Sequence, residues 1–88
     1  MKLSKEKRDK IAEQILSMLY DAFPESKFTA EIAKNLIRDE EFIKSLLYEL
    51  YNKGLVVSVK KNPKGIAYSR RQKWRLSNKA YQAYKQYA

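Results

Sequence analysis

The chain has 88 residues, 44% of them hydrophobic, the size of one small domain with a single core. It contains neither cysteine nor histidine, which removes disulfides, thiolate nucleophiles, the commonest zinc ligands and the usual general base near neutral pH, so no enzyme activity, metal or cofactor is expected. Nineteen basic against ten acidic side chains leave a net +9 that favours a polyanionic partner, and with neither a secretory leader nor an apolar run near ~20 residues the expectation is a cytoplasmic protein.

Ser4 is suited to cap a first helix in which Ile11, Ile15, Met18, Leu19 and Ala22 recur at three- and four-residue spacing up to Pro24. Ala12, Leu16, Tyr20 and Phe23 form a second apolar stripe beside it, a sector wider than one small core needs. Lys27 and Phe28 suit a brief strand. Thr29 is placed to cap a short helix from Ala30 to about Ile37, with Ile32, Ala33 and Leu36 turned inward. After Arg38 and Asp39 a third helix runs to Lys53, with Ile43, Leu46, Leu47 and Leu50 on one face. Gly54 supplies the left-handed residue that commonly ends a helix.

Leu55, Val57 and Val59 then alternate with Val56, Ser58 and Lys60, as in a strand with one buried face. Asn62-Pro63-Lys64-Gly65 is a turn signal, and the chain returns as an extended segment ending in Lys73-Trp74-Arg75-Leu76. Two hairpins compete, a tight turn at Asn62–Gly65 and a broad tip from Lys61 to Gln72. The second is expected, because it sets the Val57 region against the Trp74 region and brings the last strand back beside Phe28. Ser77 caps a final helix with Ala80, Tyr81, Tyr84 and Tyr87 on one side.

The order helix, strand, helix, helix, strand, strand, helix, with the run Thr29-Ala30-Glu31-Ile32-Ala33-Lys34-Asn35-Leu36 and the element Lys53-Gly54-Leu55-Val56, resembles small prokaryotic and archaeal winged helix-turn-helix transcription regulators. The fold class expected is therefore α+β and mostly helical, one winged-helix domain over residues 1–88 with a long basic wing. The resemblance implies double-stranded DNA as partner, a recognition helix from Asp39 to Lys53, and Lys44, Ser45 and Tyr48 in or near the major groove. It further implies a homodimer joined through terminal helices, for which Ile11, Ile15, Tyr81, Tyr84 and Tyr87 are the expected contacts.

Charge divides this pattern unevenly. The recognition helix sets Lys44 and Lys53 against Asp39, Glu40, Glu41 and Glu49, a formal −2. From Gly54 to Leu76 there are seven basic residues and no acid, so +7 of the net +9 lies there and +2 elsewhere. Lys60, Lys61, Lys64, Arg70, Arg71 and Lys73, with Arg38, are the expected phosphate or minor-groove contacts. The acids at the helix start suit capping and the helix dipole; a glutamate accepting from a cytosine amino group and a magnesium site are the other readings. Two further functions stay open: a protein-interaction subunit docking through helix 3, and an RNA or single-strand binder using the aromatic residues.

Overall fold

In the computed structural model, residues 4–59 and 72–87 are described, Tyr87 by its backbone alone. The elements are α1 (Lys5–Ala22), β1 (Lys27–Phe28), α2 (Thr29–Leu36), α3 (Glu40–Asn52), β2 (Val56–Val59), β3 (Lys73–Leu76) and α4 (Asn78–Tyr87), the expected order. The strands form an antiparallel sheet in the order β1-β3-β2. Val56 pairs with Leu76 and Val59 with Lys73, while Lys27 and Phe28 pair with Trp74 and Lys73. This register sets Val59 opposite Lys73, which a ladder closed by a turn at Asn62–Gly65 would not do; it agrees with the expected pairing of the Val57 and Trp74 regions, and the hairpin tip itself lies outside the described residues.

Local chemistry places the helix ends. The Ser4 side chain accepts from the Lys7 amide at the start of α1, and Asp39 accepts from the Phe42 amide at 3.1 Å at the start of α3. Gly54, at φ 77°, closes α3 by donating to the Tyr51 carbonyl, and the Leu55 amide reaches the Leu50 carbonyl. Ser77 does double service: its hydroxyl accepts from the Ala80 amide to cap α4 and donates to the Gly54 carbonyl at 2.8 Å. The end of α3 and the start of α4 are thereby joined.

The core gathers Ile15 and Leu19 of α1, Ile32 and Ala33 of α2, Ile43, Leu46, Leu47 and Leu50 of α3, and Val56, Trp74, Leu76 and Ala80. Three expectations change here. Ile11 and Ile15 are 3% and 0% exposed inside this protomer, so they have no surface left for a second subunit; α1 packs on β3 and α3, and Tyr20 and Phe23 of its second stripe meet Tyr81 of α4. The buried face of β2 is the one carrying Val56 and Ser58, which stand opposite Leu76 and Trp74, whereas Val57 and Val59 are half-buried on the other face. Finally, Thr29 begins α2 rather than capping it, and its hydroxyl is committed elsewhere: Trp74, fully buried, donates its indole N–H to Thr29 Oγ1 at 2.8 Å. The helix start is served instead by Glu31, whose carboxylate accepts from the Phe28 amide at 3.1 Å.

Thr29→Val keeps the shape and removes the acceptor, leaving the indole N–H buried and unpaired at a cost of about 1–3 kcal/mol. Urea denaturation should show Thr29→Val well below the parent and Thr29→Ser closer to it; a valine variant as stable as the parent would show that this bond carries no weight.

Candidate nucleic-acid interface

Two braces hold α3 in place. On one side Tyr48 sets its ring edge-on to Trp74, with centroids 5.3 Å apart, and donates its hydroxyl to Gln72 Oε1 at 3.0 Å. Tyr51 meets the same indole edge-on at 6.5 Å. The Gln72 carbonyl in turn accepts from the Thr29 amide at 3.1 Å and from its hydroxyl at 3.4 Å. One residue at the base of the wing therefore links α2, β3 and α3. On the other side, Arg8 of α1 pairs with Glu49 at 2.8 Å and lies 5.6 Å from the centre of the Phe42 ring. Between the wing base and α3 a small cavity of about 90 Å³ is lined by Tyr48, Tyr51, Ser58, Gln72 and Trp74. The Ser58 hydroxyl is buried there without a hydrogen-bond partner among the described residues.

The solvent face of α3 carries Glu41, Ser45 and Tyr48 at four- and three-residue spacing, all exposed, so they form one ridge. Lys44 is half-buried beside them. The Ser45 hydroxyl donates to the Phe42 carbonyl at 2.7 Å, and the Tyr48 hydroxyl donates to Gln72. With those protons engaged, both oxygens keep acceptor capacity alone, as does the Glu41 carboxylate. The ridge is matched chemically to hydrogen-bond donors, such as the amino groups of cytosine and adenine.

Among the acids, Asp39 is occupied as a cap, while Glu40 and Glu41 stand exposed in the first turn, where the helix dipole favours them. No group of three acidic side chains forms a metal-binding cluster among the described residues. Arg38 is exposed immediately before the cap. Lys73 is half-buried, its ammonium 4.7 Å from the centre of the Phe28 ring, so part of its bonding capacity serves the sheet. Lys60, Lys61, Lys64, Arg70 and Arg71 lie outside the described residues.

At the opposite end of α1, Tyr81 stacks on Phe23 at 4.0 Å and on Tyr20 at 5.2 Å, and Tyr84 lies 6.3 Å from Tyr20 while staying exposed. The Tyr87 side chain is outside the described residues. Residues of consequence that periodicity does not single out are Arg8, Thr29 and Gln72. All three act across long sequence separations; Thr29 had a positional signal as a helix cap, which is not the role it serves, and Gln72 had one only as the end of the expected wing tip.

No family model and no curated protein matches the chain. Solved structures do match its fold. ZitR of Lactococcus lactis, a mutant in apo form, superposes with a TM-score of 0.71 at 23% identity, over 93% of this chain and 57% of that one. A MepR mutant of S. aureus bound to oligodeoxyribonucleotide gives 0.60 at 22% identity, over 94% and 68%. The PcaV transcriptional regulator of Streptomyces coelicolor, in complex with its natural ligand, gives 0.62 at 19%, over 94% and 51%. The chain spans slightly more than half the length of ZitR and PcaV, and it has the winged helix-turn-helix fold that these proteins contain.

Proposed function

We propose that the domain is a transcription regulator that binds duplex DNA, with the cationic hairpin supplying affinity and α3 reading bases. The observation that carries this reading is the join between them. The acceptor ridge of α3 is fastened through Tyr48 and Gln72 to the root of a hairpin whose sequence concentrates +7 of the net +9. An α3 segment of formal −2 is not attracted to phosphate on its own, so Lys60, Lys61, Lys64, Arg70, Arg71 and Lys73, with Arg38, hold the backbone while Lys44, Ser45 and Tyr48 meet base edges. The structural likeness to an oligodeoxyribonucleotide-bound MepR mutant supports the same choice.

Labelled duplex titrated at several salt concentrations should give a slope of log affinity against log salt of about −4 to −6, corresponding to five to seven neutralised phosphates. Replacing Arg70 and Arg71 together by alanine should make that slope shallower by about 2. Affinity indifferent to salt, or preserved in the double variant, overturns the wing assignment. The exposed Glu40 and Glu41 favour one rival, docking of a protein on α3: Glu40→Lys, which leaves the ridge intact, should strengthen duplex binding on the DNA reading and weaken a protein complex on the rival.

The aromatic strip of Tyr20, Phe23, Tyr81 and Tyr84 is the surface we assign to a homodimer, since α4 keeps Tyr84 exposed beside half-buried rings. A two-fold axis there would present two wings to half-sites about one helical turn apart. Tyr84→Glu should convert the dimer mass measured in solution to the monomer mass without loss of helical circular dichroism; an unchanged mass excludes this surface.

A further inference from the structure

The turn from α2 to α3 contains a residue whose side chain is unsuited to its backbone. Ile37 has φ 53° and ψ 52°, the left-handed region in which a Cβ crowds its own carbonyl, and a branched Cβ makes the crowding worse. The helix end imposes this geometry: the Ile37 amide donates to the Lys34 carbonyl at 3.2 Å and the Arg38 amide to the Ala33 carbonyl at 2.9 Å. Glycine or asparagine meets that requirement without strain. The same chain does so at the end of α3, where equivalent bonds close around Gly54 at φ 77°. Burial would offset the strain, yet Ile37 is 89% exposed, far more than Tyr48, Tyr51 or Tyr84. Neither the core nor the turn uses this side chain, and such an outlier points to an external contact.

We propose that Ile37 is a specificity residue that packs against the 5-methyl group of a thymine in the major groove; the inference rests on the duplex-DNA reading above. Ile37 lies two residues before Asp39, the cap of α3, where a recognition helix and the turn ahead of it approach base edges. The apolar group displayed on those edges is the thymine methyl. An apolar contact also suits the local charge. Asp39, Glu40 and Glu41 repel phosphate, so this end of α3 gains little from ionic contact, while Arg38 is exposed alongside Ile37 to take the neighbouring strand.

The test compares the parent with Ile37→Gly and Ile37→Asn on a duplex selected by the parent from a random pool, and on the same duplex with every dT replaced by dU, which removes only the methyl groups. Both variants should unfold at the parent's temperature or a few degrees above it, because the strain is relieved. Both should bind the dT duplex about fourfold more weakly, the value of about one buried methyl group, and should lose most of the dT-over-dU preference that the parent shows. Parent-like affinity, an undiminished dT preference, or a lower unfolding temperature in both variants overturns the proposal. A parent that binds duplex but ignores dU substitution overturns it while leaving the DNA reading intact; a parent that binds no duplex removes the DNA reading itself.

Discussion

The structure depends on a single tryptophan placed where three elements converge. Trp74 is fully buried in the middle strand of the sheet, and an indole of that size would be a liability if its N–H had no acceptor. Thr29 supplies one at 2.8 Å from the first residue of α2. Tyr48 and Tyr51 of α3 close on the ring edges, so the same side chain that fills the core also fixes how the two helices of the helix-turn-helix meet the sheet. A buried polar contact then gives orientation where apolar packing alone would tolerate sliding.

Gln72 extends that constraint outward. Its carbonyl is held by Thr29 and its side chain by Tyr48, so the last residue before β3 cannot shift without pulling on the ridge of α3. The root of the hairpin and the exposed ridge of α3 are mechanically one unit at this point. Arg8 braces α3 from the far side through Glu49 and Phe42; half of that pair is solvent-exposed, and its energetic weight is small beside the Trp74 contacts.

Much of this is legible in the amino-acid sequence. Helical periodicity, the caps at Ser4, Asp39 and Ser77, and Gly54 gave the element order because each is a local rule whose cause lies within four residues. The hairpin register followed from a less local constraint, the need for β3 to lie beside Phe28. What stayed hidden was tertiary. The spacing of Ile11 and Ile15 marks an apolar face without saying whether sheet or second subunit covers it. A threonine ahead of a helical run reads as a cap, yet Trp74, 45 residues away, claims its hydroxyl. Alternation in β2 gives two faces and not which is inward; Val56 lies within because Leu76 stands opposite it. Arg70, Arg71 and their neighbours carry the strongest sequence signal for function, and that signal is one of charge rather than geometry.

The two helix ends that share one capping geometry show where conformational ease is kept and where it is given up. Gly54 leads directly into β2, and its carbonyl accepts the Ser77 hydroxyl that caps α4, so a relaxed backbone there serves the packing of the wing base. Ile37 leads into the exposed start of α3 and contributes nothing to packing. A chain governed by stability alone would place glycine or asparagine at both positions, since each takes the left-handed conformation at low cost. The asymmetry is what the proposed external contact at Ile37 would account for, and it is independent of the charge pattern that singled out the wing. One of these signals is electrostatic and read from sequence, the other steric and read from the backbone.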